Sequence, residues 1–147
     1  MQWQHNIINQ HKNIIMSIQI RFRNIQFTDI DYKVISLNQA ITIDPNTSLN
    51  IVPEFDGEHK KKFNIIFTMS LENNDFKLKL KAVAQFSTDQ DIDEEFIQSP
   101  FVKINAPAIA FPYVRTFISN LTLNSGYNPI VLPAFNFVKL AENKDNQ

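Results

Sequence analysis

Two runs of apolar residues at every second position, joined by a short polar turn, confine this chain to a sheet. Phe63, Ile65, Phe67, Met69 and Leu71 form the first run; after Glu72-Asn73-Asn74-Asp75, residues Phe76, Leu78, Leu80, Ala82, Ala84 and Phe86 form the second. A repeat of two gathers each run on one face of an extended strand, whereas a helix would scatter it around the axis. The pair is therefore predicted to be an antiparallel hairpin. Its other face carries Lys77, Lys79 and Lys81 with Thr68 and Ser70 nearby, so that face is predicted to be wet. The apolar face needs a cover.

Two further strands precede the hairpin. From Ser17, Ile18, Ile20 and Phe22 alternate with Gln19, Arg21 and Arg23; the phase slips and resumes at Ile25 and Phe27, and again at Ile30 and Tyr32. Each slip reads as one inserted residue, near Asn24 and near Asp29, and so as a bulge or bend. Leu49, Ile51, Pro53 and Phe55 alternate next, and Pro53, which has no amide to give to a ladder, places this strand at an edge or a bulge. The connection Ile35–Asn46, with Leu37, Ile41 and Ile43, is too apolar to be an idle loop.

The cover is predicted to be helical. Val114, Phe117, Ile118 and Leu121 follow the spacing of an amphipathic helix, with Asn105 as N-cap, Pro107 in the first turn and Gly126 as the C-cap glycine. Pro112 kinks this helix or splits it into two pieces. Asn136 is placed to cap a short last helix carrying Phe137 and Leu140. The fold class is α+β: a four-stranded antiparallel sheet with a long helix and a short C-terminal helix on one face.

A chain of 147 residues, 44% hydrophobic and 20% charged, is one globular domain. Residues 1–16 read as a flexible extension, 17–142 as the domain and 143–147 as a polar tail. The formal charge of −1 offers no general attraction to nucleic acid or an anionic membrane. The absence of cysteine removes thiolate chemistry and fits a reducing compartment. No apolar run approaches the ~20 residues of a membrane span, and Met1–Met16 lacks the basic-then-apolar order of a secretory signal. These features predict a cytoplasmic protein without membrane insertion. With only Gly57 and Gly126 there is no glycine loop for a phosphate. No cofactor and no metal are expected. His5, His11 and His59 lie in the N-terminal stretch and a charged loop, and Asp89, Asp91, Asp93, Glu94 and Glu95 lack the glycine and the spaced final glutamate of a calcium loop, so they read as a solvated linker.

Ala110-Phe111-Pro112-Tyr113-Val114-Arg115, then Gly126-Tyr127-Asn128-Pro129, then Leu132-Pro133-Ala134-Phe135-Asn136-Phe137 resemble the signature of the SecB export-chaperone family. The pattern there is a Phe-Pro-Tyr-x-Arg helix start, a glycine-led turn and a Leu-x-Pro-x-Asn-Phe entry to the final helix. It covers the C-terminal third of the chain; the strands agree in order and length. The resemblance implies an ATP-independent holdase that binds unfolded or precursor polypeptides in hydrophobic grooves for protein export. It also implies dimers formed through strands and a tetramer as a dimer of dimers.

The residues assigned to the groove are Tyr32, Ile35, Leu37, Ile41 and Ile43 on the crossover, Phe101 and Val102 ahead of the helix, and Phe135, Phe137 and Leu140 at the end. Thirteen phenylalanines exceed the evident need of a small core, which points the same way; the plainer reading makes most of these residues core. Tyr113, Arg115, Phe117, Ile118 and Leu121 are assigned to structure or oligomer contacts, with Arg115 as a clamp needing a carboxylate or carbonyl partner.

Family members that deliver clients to the SecA motor dock it through acidic residues on the exposed sheet face. Here those positions hold Asn24 and Thr28, with Asn73 at the turn and the three lysines alongside. A basic face disfavours a basic docking element, so a dedicated chaperone of an antitoxin or another single client is the alternative. Two rivals stand further off: a hotdog-type enzyme, for which residues 113–124 supply no Asp or Glu, and a purely structural oligomer subunit.

Overall fold

The computed structural model describes residues 18–37 and 45–145. The expected extension at 1–16, together with Ile41 and Ile43, lies outside them. Four antiparallel strands, β1 (Ile20–Val34), β2 (Asn46–Glu54), β3 (Lys62–Glu72) and β4 (Phe76–Thr88), form one sheet in the order β1-β4-β3-β2. The fold is α+β. The hairpin pairs in the register its alternation demands, with Phe67 opposite Ala82 and Leu71 opposite Leu78. Its turn is held by Asn73, whose side-chain oxygen accepts the amides of Asp75 (2.8 Å) and Phe76 (3.0 Å).

β1 shifts register twice, between Phe22 and Asn24 and between Phe27 and Asp29, leaving Arg23 and Thr28 as the extra residues. Both bulges return the apolar side chains to the inner face after each slip. β2 and β1 are the two sheet edges, and Pro53 lies on the first of them.

After β4 a short helix α1 (Glu94–Ile97) interrupts the acidic stretch that the sequence presents as a linker. Asp93 caps it, accepting from the Phe96 amide at 2.8 Å, and this brings Phe96 into the core. The long helix starts earlier than expected. A π-helical turn at Phe101–Asn105 runs directly into α2 (Ala106–Asn124), so Asn105 is helical and makes no side-chain cap. Pro107 has no amide to give to the Lys103 carbonyl, and the turn carrying Lys103 is the widened one. Pro112 does not divide α2, which is continuous across it. Ala108, whose carbonyl loses its donor there, is exposed, as is Pro112 itself, and water can satisfy the freed oxygen.

α2 buries Ala106, Ala110, Phe111, Val114, Ile118 and Thr122 along one stripe and lies against β1 and β4. It ends in a Schellman arrangement. Gly126 stands at φ 91°, its amide reaching Leu123 O and the next amide, of Tyr127, reaching Thr122 O, both at 3.1 Å. The last helix, α3 (Phe137–Asp145), runs on through residues expected to be a tail.

Phe67→Ala should lower stability by about 3–5 kcal/mol, because the ring is 1% exposed and meets Phe111. Leu123→Ala, 54% exposed, should cost no more than about 0.5 kcal/mol. Gly126→Ala meets no clash but should cost about 1–2 kcal/mol through the backbone alone. Urea unfolding at one fixed protein concentration measures all three.

Candidate functional site

The inner face of β2 is not covered by α2. Leu49, Ile51 and Pro53 there face Val102 of the π turn, Ile97 of α1, and Phe137 and Leu140 of α3, around an open cavity of about 200 Å³. Its rim is polar. Lys103 pairs with Asp145 at 3.2 Å, and the Lys144 ammonium donates to the Ile51 carbonyl. Burial holds the Lys144 pKa below the ordinary lysine range, because the charged form is poorly hydrated there.

α3 is a thin cover. None of its residues is buried. It is held by Asn136, whose side chain accepts the Lys139 amide at 3.2 Å, by the two lysine contacts, and by Phe137, which lies edge-on to Phe111 at 5.7 Å.

The described residues assigned to the groove do not form one surface. Val102, Phe137 and Leu140 share the cavity. Phe135 turns inward against Phe111 at 5.1 Å. Phe101 stacks on Phe96 and borders a separate depression with Ile18 and Ser99. Tyr32 packs on Phe76 at the opposite sheet edge, and Ile35 and Leu37 are exposed where the chain leaves that edge. The phenylalanine surplus is corrected by the structure: all but Phe101 are buried in the core or packed against it, so the count reflects an aromatic core.

Leu49, Ile51 and Pro53 are legible in the sequence as a strand, but nothing in it says what faces them. Lys144 reads there as tail.

The residues assigned to structure or assembly bind α2 to the sheet. Phe117 stacks on Phe27 at 3.9 Å, Tyr113 on Phe22 at 4.8 Å, Ile118 is fully buried and Leu121 packs against the core. Arg115 finds a carbonyl partner: one guanidinium nitrogen donates to Pro133 O at 3.1 Å while the group lies over the Phe111 ring. The segment after α2 is pinned further by Ser119, which donates to Ile130 O (2.6 Å), and by Thr122, which accepts the Ile130 amide (3.0 Å).

On the wet face the lysine stripe is flanked by acids. Asp29 and Asp31 of β1 stand across from Lys81 and Lys79, and Glu72 pairs with Lys77 at 3.0 Å. The face is therefore mixed in charge, not uniformly basic. Asn24 is exposed opposite Gln85, and Thr28 occupies a bulge. Elsewhere the side chain of His59 meets Asp56, and the hydrogen bonds from His59 hold the Asp56 pKa below its usual value; both are exposed. Among the described residues no cluster of His, Asp or Glu has the makings of a metal site.

The sequence profile described as preprotein translocase subunit SecB matches residues 10–147. The chain belongs to the SecB family. It is similar to the protein-export protein SecB of Bartonella bacilliformis, 30% identical over 112 residues covering 69% of each chain. The SecB of Anaplasma phagocytophilum is 32% identical over 76 residues, 48% of each chain. That of Roseobacter denitrificans is 28% identical over 92 residues, 60% of this chain and 54% of that one. The chain thus spans about half the length of the Anaplasma and Roseobacter relatives.

Among solved structures, a SecB-like chaperone of Mycobacterium tuberculosis in complex with a peptide from the HigA1 antitoxin shares the fold. Its TM-score is 0.63 at 15% identity, covering 80% of this chain and 88% of that one. A Streptococcus agalactiae protein of unknown function is similar at TM-score 0.51 and 13% identity, over 80% of this chain and 99% of that one.

In this SecB-family chain the signature residues do structural work: Phe111 fills the core, Arg115 and Gly126 fix the path after α2, and Asn136 starts α3. Asn136→Ala should weaken α3 by about 1 kcal/mol and speed amide exchange in residues 139–145 about fivefold, with β3 and β4 unchanged.

Proposed function

We propose that this chain is a holdase that binds unfolded or precursor polypeptides without nucleotide and serves protein export in the cytoplasm. The observation that carries the reading is the apolar groove between β2 and α3 in a chain of this family: it is open, lined by aliphatic and aromatic side chains, and roofed by a helix with no buried residue. Such a surface suits segments chosen for being apolar and extended, not for one sequence. Among the described residues no helix is long and apolar enough to cross a membrane. A dimer of dimers is part of the proposal, supported by Ile109 and Leu123, which leave apolar area exposed on α2.

A second reading, a chaperone dedicated to one client such as an antitoxin, is favoured by Asn24 and Thr28, which stand where docking to SecA calls for acids. Asp29 and Asp31 keep acidic groups on the same face, so delivery to SecA stays within the main reading. Binding of purified SecA separates the two.

Without ATP, the purified protein should suppress aggregation of a slowly folding polypeptide at about one oligomer per client. Leu140→Ser should weaken suppression about tenfold, since the apolar contact that this side chain offers a client is lost. Val138→Glu, on the exposed side of α3, should not. No suppression by the wild type at large excess rejects the function while leaving the fold intact.

A further inference from the structure

The first described residue, Ile18, stands at a depression separate from the groove. Phe96, Ser99 and Phe101 line it with Ile18, together with Gln90, Asp93 and Glu95, around about 180 Å³. Phe96 belongs to the core and stacks on Phe101, whose ring is left 37% exposed.

The chain reaches this depression already extended. Gln19 makes two hydrogen bonds with Asp89: its carbonyl accepts the Asp89 amide at 3.3 Å and its amide donates to the Asp89 carboxylate at 2.9 Å. Pairing thus runs one residue beyond Ile20 and Thr88, towards Gln90. Ile18, Ile20 and Phe22 all pack against the core, so the even-numbered residues face inward. A repeat of two carried back from Ile18 assigns the same face to Met16, Ile14 and Lys12.

The surface ahead matches that order of two apolar side chains and then a cation. Residues 89–95 hold five acids, Asp89, Asp91, Asp93, Glu94 and Glu95, and no base. Among the described residues none of the five forms an ion pair. Residues 1–17 hold Lys12 and no Asp or Glu. Counted back from Ile18, two residues of extended chain span about 7 Å and six about 20 Å, enough to bring Met16 to Phe101 and Lys12 to the acids.

We infer that residues 12–17 dock on this depression as a continuation of β1, with Met16 and Ile14 over Phe96 and Phe101 and Lys12 against the acids at 91–95. The extension expected from the sequence then ends at residue 11. Phe101, assigned from the sequence to client binding, is covered instead by the chain's own segment. α1, only four residues long, gains the packing that so short a helix needs. A segment tethered at Ile18 meets the depression at high effective concentration, which a second copy or a client lacks.

The chain has no cysteine, so the full chain can carry two introduced pairs: Met16→Cys with Ser99→Cys, and Ile15→Cys with Ser99→Cys. Under mild oxidation, read by mass after alkylation, the first pair should close an intramolecular disulfide at least about tenfold faster, because neighbours in a docked extended segment face opposite ways. Equal rates, or a faster second pair, overturn the docking, since a loose segment presents both positions alike. Cross-linked dimers as the main product of the first pair overturn it in favour of a second copy.

Amide exchange of cysteine-free chains gives an independent measurement. Ile14→Ser with Met16→Ser should speed exchange at residues 96–99 about fivefold, and Lys12→Gln about twofold at low salt alone. Ile7→Ser with Ile8→Ser should change nothing, and β3 and β4 should keep their wild-type rates. Unchanged exchange at 96–99, or acceleration spread over the whole sheet, overturns the docking. Protection at 96–99 that arises only when an unfolded polypeptide is added overturns it in favour of a client.

Discussion

The burial of one face of the β3–β4 hairpin is the contact on which the rest of the molecule depends. Its apolar residues, from Phe63 to Phe86, are at most 4% exposed, and no hairpin keeps such a face without a partner layer. α2 supplies that layer through Phe111, Val114 and Ile118, and the rest of the C-terminal region is arranged to hold α2 there. Arg115, Ser119 and Thr122 reach from the helix to the segment at 130–133, so the chain after Gly126 is fastened to the helix it has just left. Thr122 is the buried polar residue of this arrangement, and it is satisfied both as donor, to Ile118 O, and as acceptor.

Because α2 lies over β1 and β4, β2 receives a weaker cover. The π turn and α3 shelter its inner face without sealing it, and α3 buries none of its own residues. Polar contacts, one capped turn and the Phe137 ring hold this element, and elements held by so little open at low free-energy cost. The groove is therefore a part of the fold where apolar surface is both present and accessible. It follows from how far the long helix reaches, not from an excess of aromatic residues.

The wet side of the sheet follows a different rule. Cross-strand neighbours of opposite sign, Asp29 with Lys81 and Asp31 with Lys79, limit the field that a row of lysines would otherwise produce. Such a face stays soluble and discriminates weakly between acidic and basic partners. The two faces of the sheet thus differ in chemistry, apolar on the groove side and mixed in charge on the wet side.

The sequence by itself determined the hairpin, its turn, the two bulges of β1, the edge position of the Pro53 strand and the cap of the last helix. These are local: a period of two, an asparagine at a turn or a proline without an amide acts within a few residues, whatever the rest of the chain does. The signature at Phe111, Arg115, Gly126 and Asn136 was legible for the same reason. Only the tertiary structure decided that Val102, Phe137 and Leu140 meet β2 while Tyr32 and Ile35 sit at the far edge, that the phenylalanines are spent in the core, and that Lys144 reaches an edge carbonyl. Those facts depend on where α2 crosses the sheet and on the packing of residues about fifty to ninety positions apart, and no local pattern encodes a contact whose two halves are so far apart along the chain.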